Sequence, residues 1–360
     1  MSKILYAAST MSHINSFHLE YIARLREEGH EVFTLANGEG ADFDVPFEKK
    51  IFSSENKKCR KIISDIVNKN NFDVIILNTS LAAFHIRMAL GKKRPRVVNI
   101  VHGYLFSEKE QGIKRKIKGL MLRYAELLLC GKTDALIIMN EEDERIATRH
   151  KLTSGEIINT DGFGVPRKSV KRGREDLRRE LSAEGKYVLL FVGELSARKN
   201  EQFLIKAMPK ILESIPEAEL WLVGEGDERE SLEELAGELK ITDKVKLLGR
   251  QENPVDYMNA ADVYVSASVS EGLPFNIVEA LGAGRHVVAT RVKGQWDILN
   301  GGAGFMYEQY DEAEYVRLLV GLHSGALTIS SEKKEEAYLK YSKERVFPDT
   351  FEKIKKAARL

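Results

Sequence analysis

Residues 187–223 read YVLLFVGELSARKNEQFLIKAMPKILESIPEAELWLV, and their punctuation decides the fold. An apolar run, Tyr187–Gly193, leads into a helical stretch, Gln202–Ser214, and then into a second apolar run, Glu219–Val223. Runs of this kind are expected where both faces of a parallel sheet are covered. The same order recurs on either side. Strands are predicted at Lys3–Ala8, Glu31–Leu35, Asp73–Leu77, Arg96–Val101 and Asp134–Met139, and again at Val245–Leu248, Asp262–Ser266 and His286–Thr290. Helices such as Ser16–Glu28 fit between them. Repeated strand–helix order predicts an α/β protein of doubly wound, Rossmann-like layers.

A length of 360 residues predicts two domains of about 170 residues each. The boundary is expected within Gly164–Lys186, where Pro166 precedes a run dense in Lys, Arg and Glu. This divides the chain into a first unit at 1–165 and a second at 166–345, with a terminal helix at 346–360 expected to pack back on the first. Ligands of such folds bind outside the carboxyl ends of the strands, in a cleft that two facing units would share.

Composition narrows the class. With 43% hydrophobic and 30% charged residues the chain reads as globular, and no apolar run approaches the roughly 20 residues of a membrane span. The start, Met-Ser-Lys-Ile-Leu-Tyr, enters a strand without a signal-peptide layout, so a cytoplasmic protein is expected. Cys59 and Cys130 read as free buried thiols. The net charge of +1 hides an asymmetry: residues 1–170 hold 27 Lys and Arg against 21 Asp and Glu, and the remainder 28 against 33. A basic first half suits an anionic partner, a lipid surface or a phosphate-bearing acceptor; scattered surface charge is the plainer reading. On a helix over 109–129, Ile113, Ile117, Leu120, Met121, Tyr124, Leu127 and Leu128 share one stripe, with Lys114, Arg115, Lys116, Lys118 and Arg123 outside it. Packing of that stripe on a core is the favoured expectation, and contact with an anionic membrane the alternative.

The chemistry concentrates at strand ends. Residues 271–279, Glu-Gly-Leu-Pro-Phe-Asn-Ile-Val-Glu, place two carboxylates around a turn that opens a helix, with Pro274 at its expected first position. The freed N–H groups favour an anion, and carboxylates beside it make sense as acceptors for hydroxyl groups attached to that anion. After Tyr187–Gly193 come Arg198 and Lys199, adjacent cations suited to a diphosphate, or simply a solvated basic turn. His102 follows the fourth strand, where a histidine can orient a sugar hydroxyl or share its proton near neutral pH. The first loop, Ser9–Asn15, lacks the Gly-x-Gly-x-x-Gly fingerprint. Ser12 or Asn15 is expected to cap the next helix; His13 and His18 are weak signals.

Gly193-Glu-Leu-Ser-Ala-Arg-Lys-Asn, Leu222-Val-Gly-Glu-Gly, Val245-Lys-Leu-Leu-Gly-Arg, Ala261-Asp-Val-Tyr-Val-Ser, Glu271–Glu279 and Val287-Val-Ala-Thr together resemble the family 4 glycosyltransferases, enzymes of the two-domain GT-B fold. Ser12-His-Ile-Asn-Ser-Phe-His and His102-Gly-Tyr look like the branch that builds capsular and exopolysaccharide units. The resemblance implies that Glu279 accepts hydrogen bonds from a nucleotide ribose and that Glu271 contacts the donor sugar. It places Gly272, Leu273 and Phe275 at donor phosphates or sugar, Lys199 at the diphosphate, and Gly193, Arg198 and Arg250 on the donor side. His102 falls beside the reacting sugar, and Ser12 and His13 on the acceptor side. Such enzymes retain anomeric configuration by a front-face transfer and need no metal, so no cofactor is expected and the nucleotide-sugar is a substrate. Glu194 stands where many members carry arginine, and Arg198 is the candidate to replace it. His286 stands where proline is common.

The expectation is a retaining transferase that uses a UDP-sugar. Its acceptor is expected to be a glycan or a polyprenyl-diphosphate-linked glycan, with peripheral contact at the inner membrane face and no nucleic-acid partner. The alternatives are a nucleotide-sugar epimerase of the same fold and a non-catalytic glycosyltransferase-like partner subunit.

Overall fold

The computed structural model describes residues 1–48, 50–107 and 113–360. Two compact units result: Met1–Phe163 with Val346–Leu360, and Gly164–Arg345. In the first, strands β1 (Lys3–Thr10), β2 (Glu31–Asn37), β3 (Phe43–Asp44), β4 (Val74–Leu77), β5 (Arg96–Val101), β6 (Ala135–Ile138) and β7 (Glu156–Asn159) form a parallel sheet in the order β3-β2-β1-β4-β5-β6-β7. In the second, β8 (Tyr187–Val192), β9 (Ala218–Val223), β10 (Val245–Gly249), β11 (Val263–Ser266), β12 (His286–Thr290) and β13 (Phe305–Tyr307) form another, ordered β10-β9-β8-β11-β12-β13. Both sheets are doubly wound.

The continuous apolar runs have the cause expected of them. Along β8 alternate side chains enter opposite cores: Leu189 and Phe191 pack on one face, Val188, Leu190 and Val192 on the other. Both faces are therefore dry, and each fully buried side chain of this size contributes about 1.5–3 kcal/mol. In the first unit Leu5, Ala7, Ile75 and Leu77 line one such core with Ile63 and Ile86, from the helices Ser54–Asn70 and Ser80–Ala89.

Three strands were not foreseen: β3, β7 and β13. Each is a sheet edge, two to four residues long, with partly exposed side chains, and none carries an apolar run of more than three residues. The helix expected over Ser16–Glu28 is instead two, Met11–Phe17 and Leu19–Glu27, with a break at His18 (φ −125°, ψ −9°). Its cap is Thr10, whose Oγ1 accepts the His13 N–H at 3.3 Å, so Ser12 and Asn15 lie within the helix. Cys59 is buried, whereas Cys130 is only half-buried.

The largest departure is the helix Ile113–Leu129 (109–112 of the expected stretch lie outside the described residues). Its apolar stripe does not pack on a core. Ile113, Ile117, Leu120, Met121, Tyr124, Leu127 and Leu128 are 43–78% exposed. The helix is held by another side, where Leu122 and Leu129 turn inward and Glu126 meets the fully buried Arg87 at 2.9 Å. Burying Arg87 requires that partner, and this fixes the rotation of the helix. The terminal helix Lys343–Ala358 joins the first unit from Val346 onward through Thr350, which donates to Gly162 O at 2.8 Å, and through Lys355, 2.9 Å from Glu28.

Candidate functional site

In each unit the strand order reverses beside its first strand, and loops leaving there in opposite directions open a crevice at the carboxyl ends. In the second unit those loops follow β8 and β11. The first carries Arg198 and Lys199, the second Glu271. The backbone ties them together: Val269 N–H donates to Arg198 O at 2.9 Å, and the Asn200 amide to Ala267 O at 3.3 Å. Across this seam Lys199 Nζ lies 2.6 Å from Glu271 Oε1, and Arg198 Nη1 lies 2.8 Å from Oε2. Lys199 and Glu271 are buried, and Arg198 is half out. Burial alone would raise the Glu271 carboxyl, but Lys199 and Arg198 outweigh it and hold it below the ordinary range. Arg198, the candidate to stand in for the arginine absent at the exposed Glu194, has a carboxylate, Glu271, as its partner.

The turn after Glu271 is shaped by close backbone approach. Gly294 has φ +74°, and a Cβ there would stand 2.2 Å from Gly272 O. Pro274 is the cap residue, and the helix runs Phe275–Gly282, one position later than expected. Leu273 and Phe275 are half-buried at its mouth. On the next turn Glu279 Oε1 accepts from Lys168 Nζ at 2.6 Å, beside a cavity of about 240 Å³ lined by Pro166, Lys168, Val170 and Asn259. Lys168 went unrecognised in the sequence, where it reads only as part of the boundary. Gly193 ends β8 under the Phe191 ring, where a Cβ would approach within 2.8 Å. Arg250 is exposed at the end of β10. Behind Lys199, burial pushes the Glu201 carboxyl up to about 7; its Oε1 and the Ser196 hydroxyl have no hydrogen-bond partner among the described residues.

In the first unit the equivalent loops follow β1, β4 and β5. They bring His13, Asn78 and His102 together, with His18 beneath. His102 Nε2 lies 3.4 Å from His13 Nε2 and 3.3 Å from Asn78 Oδ1, and its ring stacks on Phe163 at 5.2 Å. Burial, and then His13, push the His102 pKa well below its ordinary value. His102 is therefore a neutral imidazole at pH 7, which suits it to orienting a hydroxyl rather than to sharing a proton near neutrality. Ser12 is exposed, one residue before His13. Asn78 was missed, although it too follows a buried strand, Val74–Leu77, at its carboxyl end.

Two doubly wound units, each with a polar cluster at its switch point, are the architecture of the GT-B fold. Residues 173–344 match the family described as glycosyl transferases group 1. The Bacillus subtilis protein EpsD, named as a glycosyltransferase, is 28% identical over 340 residues, covering 89% of this chain and 87% of its own. An Escherichia coli enzyme, UDP-Gal:alpha-D-GlcNAc-diphosphoundecaprenol alpha-1,3-galactosyltransferase, is 25% identical over 275 residues, covering 73% of this chain and 70% of its own. The structure of Anabaena HepE with UDP and glucose superposes with a TM-score of 0.78 at 18% identity, over 99% of this chain and 100% of that one, a likeness of fold.

Proposed function

We propose that this chain is a retaining, family 4 enzyme that transfers a sugar from a UDP-sugar to a polyprenyl-diphosphate-linked glycan at an anionic membrane face. The observation that carries the donor half is the Lys199–Glu271–Arg198 cluster at the switch point of the second unit. An ammonium has three N–H donors and a guanidinium five, so each can hold Glu271 and still donate to a diphosphate. Glu271 aims the cations and offers an acceptor to the donor sugar, and Glu279 exchanges Lys168 for the ribose hydroxyls. Neutralisation by these side chains and the Phe275 helix start stabilises the leaving diphosphate without a metal on it. His102, neutral at pH 7, hydrogen-bonds a hydroxyl of the reacting sugar, and a donor phosphate oxygen takes the acceptor proton.

The acceptor half rests on the lipid-diphosphate acceptor in the name of the Escherichia coli relative, on the basic first unit and on the exposed stripe of Ile113–Leu129. Among the described residues no helix is long and apolar enough to cross a membrane, so contact through that stripe would be peripheral.

Incubation with a panel of radiolabelled nucleotide-sugars and a lipid-diphosphate glycan tests the reading. Transfer with retained configuration is expected with one UDP-sugar. Absence of donor binding, hydrolysis and transfer across the panel overturns it. An epimerised sugar in the product, read by NMR, assigns the fold to the epimerase reading instead. Glu279→Gln separates enzyme from passive partner subunit, because only an enzyme loses activity when its ribose acceptor is weakened.

A further inference from the structure

Three imidazoles converge on one point in the first unit. His13 Nε2 lies 3.4 Å from His18 Nε2 and also 3.4 Å from His102 Nε2. One ring nitrogen from each residue lies within 4.8 Å of the other two. A neutral imidazole nitrogen carries either one proton or one lone pair, so His13 Nε2 cannot make a good bond to both neighbours. A cation at the shared point would accept all three lone pairs once the His102 proton moves to Nδ1 and the 3.3 Å contact of its Nε2 with Asn78 Oδ1 is given up.

Chain geometry builds this convergence. Residues five apart on an unbroken helix would point roughly 140° away from each other. The break at His18 turns its ring back toward His13, and β5 delivers His102 from the other side of the switch point. The rings are held by their surroundings. His18 Nδ1 lies 3.0 Å from the buried Tyr6 hydroxyl, and Phe163 stacks on His102 while meeting His18 edge-on at 4.4 Å. A partner on the far nitrogen is what fixes a ligating imidazole in its tautomer.

We propose that His13, His18 and His102 form a three-histidine site for a borderline divalent transition metal, with Zn²⁺ the best fit. Two nitrogens bound to tetrahedral zinc at 2.0–2.1 Å stand about 3.4 Å apart, the spacing found for both His13 pairs. Imidazole ligands suit zinc, copper, nickel and cobalt over magnesium or calcium. Burial, which keeps all three rings neutral, also favours the form that binds metal. His13 and His102 are half-buried, so the cluster is not sealed inside the unit. This site lies wholly within the first unit, and the cations proposed for the diphosphate belong to the second. One consequence rests on the role proposed for His102: a metal on its Nε2 removes that atom from the sugar, so bound zinc would inhibit transfer.

The test uses the tag-free full chain after chelator treatment. Zn²⁺ is titrated by calorimetry, and Co²⁺ serves as the spectroscopic probe. Expected are one metal per chain, the intense visible absorption of tetrahedral cobalt, and an affinity loss on the order of 100-fold or more in His13→Ala and His13→Gln. His18 is fully buried and its variants risk misfolding, so half-buried His13 carries the test, with His102→Ala as the second variant. A Kd weaker than about 1 mM, or wild-type metal affinity in the His13 and His102 variants, overturns the proposal. Stoichiometric binding with undiminished transfer leaves the metal site standing and removes His102 from the sugar.

Discussion

Lys199 is buried against one carboxylate oxygen while Arg198 holds the other, so the two cations are not equivalent. Lys199→Met keeps the volume of the stem and leaves Glu271 paired with Arg198. The fold should survive while the proposed diphosphate contact is lost. A charged hydrogen bond contributes about 1.5–3 kcal/mol, so calorimetric affinity for UDP should fall roughly 10- to 100-fold. Unchanged affinity would take Lys199 out of the donor site. Glu201, directly behind, makes a different prediction. Its carboxyl ordinarily titrates near 4.5 and burial raises it to about 7. Between those values the folded chain keeps a proton that the unfolded chain releases, so stability falls as pH rises from about 4.5 to about 7 and then levels off. The full drop is on the order of 3 kcal/mol. Glu201→Gln should flatten it, as read from urea midpoints across that range; parallel curves for the two proteins would refute the assignment.

The turn Glu271–Pro274 and the backbone of Gly294 are one element in all but sequence. Gly294→Ala puts a Cβ 2.2 Å from Gly272 O at a φ of +74°, so either backbone must move. A non-glycine residue there costs about 1–3 kcal/mol, and the displaced turn should weaken UDP binding as well as lower Tm. A lower Tm with intact affinity would show that the turn is only a structural support. What the sequence discloses divides at this scale. Ten strands were legible from their apolar runs, nine of them interior strands with both faces covered and the tenth the edge strand β10, and the strand-end rule then pointed to Arg198, Lys199, Glu271 and His102. The edge strands β3, β7 and β13 were not, since each is only two to four residues long. The Lys168–Glu279 pair was also closed to reading, because 111 residues separate partners that only the tertiary fold brings together. The histidine cluster was hidden by the five-residue spacing of His13 and His18, which reads as opposite helix faces until the break is known. The stripe of Ile113–Leu129 misled for a related reason. Periodicity finds an apolar face and says nothing of what covers it.

For the whole molecule, the decisive quantity is where apolar area and positive charge coincide. The first 170 residues carry the excess of Lys and Arg, and within them Ile113–Leu129 exposes seven large apolar side chains beside Arg115, Lys116 and Lys118. Scattered exposed hydrophobics are ordinary, but a contiguous stripe rimmed by cations is the surface expected of a helix lying on anionic lipid. Two forces would then hold the chain, and each can be removed separately. Vesicles rich in phosphatidylglycerol should carry the protein upward in flotation at low salt, and raising salt should weaken this as the cations are screened. Neutral vesicles should bind less. The pair Leu120→Glu and Leu128→Glu removes two side chains worth about 1.5–3 kcal/mol each on burial, so partitioning should fall roughly 100-fold or more. These positions are exposed and solvated, so Tm should hold within about 1 °C, since surface substitutions seldom exceed 0.5 kcal/mol. Flotation that ignores both salt and the double substitution would mean that the stripe does not meet lipid and that the basic half is scattered surface charge.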